Sequence, residues 1–211
     1  MGLNLKLPES LNHLTPEEIE QLKAMLLNID FNNHPNGVTI AFPITAKEFI
    51  KRVLIKEIGE VVKSHPWLGF VLISSGIEFL GKCIDTKNPT DWNKPGQSGP
   101  NFRDAINSLD AFSKYRDLLK RKDIDLYAEL RCGLVHSFAP NSKGAIIGLS
   151  HGNKELPSKI DGTGNINFNA DELYEDFKLA CEFVIGQTYP NPNKMNEAKV
   201  FIQATIANPY L

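Results

Sequence analysis

The stretch "WLGFVLISSGIEFLGKCI", residues 67 to 84, decides how the rest of the chain is read. Its apolar residues, from Trp67 and Phe70 through Ile73 and Ile77 to Leu80 and Cys83, fall almost all round a helical wheel. A helix that is apolar on every side needs partners on every side, so this one is expected at the centre of a bundle, with Leu72 in its core. Ser74, Glu78 and Lys82 make its one polar line, spaced by four. Two readings of Glu78 follow. It pairs with Lys82 at i,i+4, or it orients a cation on a neighbouring helix.

Outward from that helix, three start signals are clear. Thr15, Thr45 and Asn169 each stand as a cap residue with glutamate three positions on, and Pro16 adds a favoured first helical residue. Helices are expected at about 16–28, 46–63, 67–84, 101–120, 124–138, 170–187 and 194–206. Phe49, Val53, Ile58 and Val62 give the second of these a one-sided apolar stripe, as do Phe102, Ile106, Leu109, Phe112 and Leu119 in the fourth. Residues 86–100 are rich in Pro, Gly and Asn and read as a long loop around Trp92. Trp92 reads as a loop anchor or a base-stacking platform. Segments 144–150 and 159–169 read as two short strands. The fold class expected is mainly α: a helical bundle with one small β-hairpin, about 144–169, inserted before the last bundle helix. The domain spans 46–188, with helical extensions at 1–45 and 189–211.

Composition narrows the function. The 211 residues carry a net charge of −2, so no global field draws nucleic acid or membrane, and such binding needs a local patch. Three well-separated cysteines, Cys83, Cys132 and Cys181, form neither a disulfide framework nor a zinc motif. No metal site and no cofactor are expected. A reduced, cytoplasmic setting fits the cysteines. The first residues lack signal-peptide order. The longest apolar run falls short of the roughly 20 residues that cross a bilayer.

The chemistry concentrates in "LYAELRCGLVHSF", residues 126 to 138. Leu126, Leu130 and Leu134, joined by Tyr127, form a core stripe, and Asp123 or Asp125 is placed to cap the helix. Arg131 and His136 lie about 140° apart on a regular wheel. The small residues Ala128, Cys132 and Val135 fill the arc between them, where another helix or subunit can approach closely. A histidine can move a proton near neutral pH, and an arginine offers planar donors to a phosphate. The same residues also suit a structural role, with arginine bonded to a buried carboxylate and histidine at a helix end.

"RCGLVH" resembles the R-x(4–6)-H marker of the HEPN superfamily, helical domains named for higher eukaryotes and prokaryotes nucleotide-binding. "LYAELRCGLVHSFAP", strands, and then "NADELYEDFKLACEF" as a closing helix are similar to a bacterial branch of that family, over about residues 46 to 187. The resemblance implies RNA or nucleotide binding by a homodimer. In catalytic members it implies metal-independent RNA cleavage by two Arg–His pairs, in defence or toxin systems. Arg131 and His136 are then catalytic, with Glu78, Cys132 and Tyr127 in support. Active members often carry Asn, Asp or His after the arginine, where this chain has Cys132. The alternative is a non-catalytic dimerisation or scaffold protein with a structural Arg–His pair.

"KYRDLLKRK" brings Lys114, Arg116, Lys120, Arg121 and Lys122 just ahead of the Arg–His helix. Read functionally, they track a nucleic-acid backbone. Read structurally, they are a solvated helix end whose cations suit the helix dipole. Cys132 reads as a packing residue, or as a nucleophile served by His136 four residues on.

Overall fold

In a computed structural model, which describes residues 14–34, 36–84, 89, 94–137, 147–152, 159–160, 166–187, 195 and 199–206, helices begin at all three predicted caps. Thr15 accepts from the Glu18 amide at 3.3 Å, and Glu18 accepts from the Thr15 amide at 2.8 Å, a complete capping box for α1, Pro16–Leu26. Thr45 accepts from the Glu48 amide at 3.1 Å. Asn169 accepts from the amides of Asp171 and Glu172 at 3.0 and 3.2 Å. Each cap satisfies donors that the first helical turn leaves open.

The chain divides into two units. One is Met1–Ile44 with Lys199–Leu211, and the other is Thr45–Ala198. In the first unit, α1 and strand β1, Val38–Thr45, share a small core of Leu14, Leu22, Leu26, Phe31, Ile40 and Ile206. β1 pairs with the strand Lys199–Ile206 in a two-stranded sheet. The sequence reading put a helix at 194–206 and no strand at 38–45, and both points are corrected here. Val200, Ile202, Thr205 and Ile206 suit a strand, but the deciding partner lies more than 150 residues earlier in the chain.

The second unit is a mainly α fold. Ala46–Phe49, Ile50–Glu57 and Ile58–Ser64 run on as one helix, α2, whose middle portion is wound as a π-helix. Tyr174 donates its hydroxyl to the Ile55 carbonyl at 2.6 Å within this portion. Gly59 gives the phenol its room, since a Cβ there would run into the Tyr174 hydroxyl. Ile50, Leu54, Ile58 and Val62 are the buried stripe of α2.

Helix α3, Pro66–Lys82, lies in the middle of this unit, packed by α2 and by the helices that follow it. Phe70, Ile73, Ile77 and Leu80 are buried along it. It is not covered evenly, however. Trp67 and Leu68 are exposed at its start, and Leu72 is only partly buried. Gly81 marks the tightest approach. A Cβ there would collide with the backbone carbonyl of Asn101 in α4, Ser98–Ser108. Gly81→Ala gains about 1 kcal/mol of helix propensity. It loses up to about 3 kcal/mol to overpacking, because a backbone atom cannot rotate aside. The expected net result is a lower unfolding midpoint in urea at unchanged slope. An equal or higher midpoint would show that α3 and α4 separate easily.

The single helix expected at 101–120 is two. After α4, Leu109 is extended, and Asp110–Lys120 follows as a 3₁₀ helix. Arg116 donates Nε to the Ile106 carbonyl at 3.2 Å, which serves one of the open acceptors at the end of α4. Helix α5 then covers Tyr127–Gly133 in π form and Leu134–Ser137 in α form. Three short strands precede α6, Ala170–Gly186: β2 Ile147–Ser150, β3 Lys159–Ile160 and β4 Ile166–Asn169. β3 and β4 pair antiparallel, while β2 joins the other edge of β4 in parallel, so the two strands expected at 144–150 and 159–169 are three and do not pair with each other as one hairpin. Trp92 and its neighbours in the 86–100 loop lie outside the described residues, and residues 98–100, expected in the loop, open α4. Among the described residues, no helix is long and apolar enough to cross a membrane.

Candidate functional site

Asp125 caps α5, with its carboxylate accepting from the Ala128 amide at 3.3 Å, while Asp123 is taken up by Arg121. Arg103 also reaches the Asp125 carboxylate at 3.2 Å and lies over the Tyr127 ring, 5.8 Å from its centroid. Tyr127 packs edge-on against Phe102 at 5.7 Å. Leu126, Leu130 and Leu134 are buried as the core stripe requires. The first turns of α5 are therefore held by an ion pair, a cap and a core stripe.

On that support, Arg131 points to α3. Its Nε donates to Glu78 Oε2 at 2.9 Å, with Glu78 only 7% exposed. Of the two readings of Glu78, the contact across helices is present. The pair uses one nitrogen of the guanidinium. Among the described residues, the two terminal nitrogens of Arg131 meet no protein acceptor. Tyr127 and Cys132 complete the cluster. Burial pushes the Tyr127 hydroxyl pKa up, a hydrogen bond with Cys132 adds to this, and the nearby Arg131 opposes it. Four of the predicted residues, Glu78, Tyr127, Arg131 and Cys132, thus meet in one place.

His136 lies one turn beyond, exposed, in the α-form end of α5. The π turn through Tyr127–Gly133 has i→i+5 hydrogen bonds and underwinds the helix. That rotates His136 toward the Arg131 side, relative to the 140° or so of a regular wheel. Ala128, Cys132 and Val135 are each partly exposed between them.

Four of the five cations of the basic segment are ion-paired within the chain. Lys114 bonds Glu172, and also Asp176 at 2.8 Å. Arg116 bonds Asp110 at 2.9 Å, Lys120 bonds Asp117 at 2.8 Å, and Arg121 bonds Asp123 at 3.0 Å. Only Lys122 of the five has no ion-pair partner among the described residues. Asp110, Asp117 and Asp123 lie within a few residues of their cations, whereas the Lys114 partners come from α6, outside any sequence window around it. Among the described residues, no group of three metal-ligating side chains occurs.

Raised pKa values give a test of the packing. Burial works against the charge on Lys114, but its hydrogen bonds to Asp176 and Glu172 outweigh that and raise its pKa. Burial also raises the pKa of Tyr127 and Tyr174. A raised folded-state value gives stability that is complete below the unfolded pKa, about 10 for both residue types. That stability is lost as pH rises through the folded value. Melting temperature should therefore fall above about pH 10, and less so in Lys114→Met. Identical alkaline profiles for the two proteins would show that the Lys114 pairs do not persist in solution.

The sequence reading missed a cavity of about 640 Å³. It lies between the α2–α3 junction and the end of β2, and Trp67, Phe70, Val71 and Leu149 line it, with His65 and His151 among its polar residues. It does not include Arg131 or His136. The one local hint was Trp67 directly after His65-Pro66, at the open end of a helix otherwise enclosed. Compared with protein families, with characterised proteins and with solved structures, the chain gives no match.

Proposed function

We propose that the chain is a HEPN-like homodimeric protein that binds an RNA or nucleotide phosphate at Arg131 and His136, and that it cleaves RNA without a metal. One observation carries this reading. Glu78 holds Arg131 through Nε at 2.9 Å, which fixes the guanidinium and, among the described residues, leaves its outer edge for another acceptor. A planar pair of donors is suited to a phosphate. The exposed His136 supplies the group that moves protons.

In the reaction, one histidine takes the proton of a ribose 2'-hydroxyl. The 2'-oxygen forms its bond to phosphorus, and the P–O5' bond breaks. A second histidine, from the other subunit, gives its proton to the leaving 5'-oxygen. Arg131 donates to the non-bridging oxygens as their charge grows. The products are a 2',3'-cyclic phosphate and a 5'-hydroxyl.

A second reading has its own observation. The cations at Lys114, Arg116, Lys120 and Arg121 are ion-paired within the chain. With Cys132 in place of a polar residue, this favours a non-catalytic dimerisation or scaffold protein whose Arg131–Glu78 pair is structural.

The deciding experiment incubates end-labelled single-stranded RNA with the protein in EDTA. Cleavage with cyclic-phosphate ends is expected. Intact RNA with salt-sensitive binding would remove the enzyme and keep the binding protein. Neither cleavage nor binding would leave the scaffold. Light scattering should give twice the 23.6 kDa chain mass, and Ala128→Arg should return it to one chain without unfolding. A monomeric wild type at micromolar concentration would remove the shared two-histidine site.

A further inference from the structure

The cavity at the start of α3 is not part of the Arg131 cluster, but helix geometry ties the two together. Trp67 and Glu78 are eleven residues apart on one uninterrupted α-helix, Pro66–Lys82. At 100° per residue they fall about 20° apart around the axis, and at 1.5 Å per residue about 16 Å apart along it. Val71 lies on the same stripe between them. One end of the stripe is closed, where Arg131 bonds Glu78. The other end is open, where Trp67 is 50% exposed in the cavity.

The lining has the mixed character of a nucleobase site. Trp67 stands edge-on to Phe70, at 88° and 6.5 Å between ring centroids, and keeps half its surface in solvent. Leu149 and Val71 add apolar walls, and the imidazoles of His65 and His151 add both donors and acceptors. The volume lies within the roughly 300–1,000 Å³ range of sites that hold small planar ligands. An exposed tryptophan is an unusual cost on a protein surface, and stacking a base on it is a common use.

We infer that the Trp67 cavity takes an unpaired base of the same RNA strand whose phosphate Arg131 holds, with α3 setting the spacing between them. The inference rests on the proposed RNA-binding function. The 16 Å or so between the two points corresponds to roughly five nucleotides of stacked strand at about 3.4 Å each. Selection is then for single-stranded RNA, since a base inside a duplex cannot enter.

The test uses Trp92→Phe protein, in which Trp67 is the sole tryptophan. Its fluorescence is followed during titration with a short single-stranded oligoadenylate, and in parallel with adenosine monophosphate. Saturable quenching by the oligonucleotide is expected. Trp67→Ala, tested with the natural residue at 92, should bind the oligonucleotide about tenfold more weakly, as loss of one stacked base predicts. Trp67→Phe should recover part of that loss. If Trp67→Ala binds as wild type does while Arg131→Ala does not bind, the cavity inference is overturned and RNA binding at Arg131 stands. If adenosine monophosphate binds as tightly as the oligonucleotide, the strand is overturned in favour of a free nucleotide. If wild type binds neither, both the inference and the RNA-binding function fall.

Discussion

Ile73→Asp is expected to leave no cooperatively folded protein, while Leu68→Asp, on the same helix, is expected to fold normally. Ile73 is 0% exposed in the middle of α3, and Leu68 is 45% exposed at its start. At position 73 the change removes a buried side chain, worth about 1.5–3 kcal/mol. It also places a carboxylate where its desolvation costs several kcal/mol more. A domain is stable by only about 5–15 kcal/mol in total, so the two losses together consume most or all of it. At position 68 the carboxylate keeps its water, and effects stay within about 0.5 kcal/mol. Near-ultraviolet circular dichroism and urea unfolding of the two variants are the measurement. A sharp urea transition in Ile73→Asp would mean that α3 is not the centre of the fold. Leu72, expected in the core from the helix pattern, is only partly buried, so the full penalty falls at Ile73 instead.

The second large effect is on chemistry and follows from the proposed function. His136→Ala is expected to slow RNA cleavage by about 10²–10⁴-fold, the usual size of lost general acid–base catalysis. Arg131→Ala is expected to slow it by about 10²–10³-fold, through lost stabilisation of charge on the phosphate. The two differ in binding. His136 acts mainly by moving protons, so its loss should weaken RNA binding less than it slows cleavage. Arg131 meets the phosphate in both ground and transition states, so Arg131→Ala should weaken binding as well. Glu78→Gln separates a positioning role from a merely structural one. It keeps an acceptor for Arg131 Nε but removes the charge, so it should lower the cleavage rate with little change in melting temperature. Equal cleavage by wild type and His136→Ala would exclude His136 from the reaction.

Much of this molecule is local, and that part is legible in the chain. Thr15, Thr45 and Asn169 announce their helices because a cap acts over three residues. The stripes of Ile50, Leu54, Ile58 and Val62, and of Leu126, Leu130 and Leu134, are periodic within one helix and mark the face that becomes buried. The apolar girth of residues 67–84 placed α3 inside the bundle for the same reason. Arg131 and His136 could be singled out because both sit on one short helix.

What only the tertiary structure decided involves partners far apart in sequence. The strand at Lys199–Ile206 exists because β1 offers it a sheet edge, and no window around residue 200 contains that edge. Leu109 breaks the expected 101–120 helix, and Arg116 reaches back to the Ile106 carbonyl across the break. The cations of "KYRDLLKRK" look available until Glu172 and Asp176 on α6 close on Lys114. Glu78 reaches Arg131, 53 residues away, a contact that no window around Glu78 contains. Trp67 reads as core from its neighbours in sequence but is open to solvent at the end of α3, beside a cavity completed by β2. Caps and stripes are set by bonds within a few residues. Pairing, charge neutralisation and cavities are set by which distant surfaces the packed fold brings together.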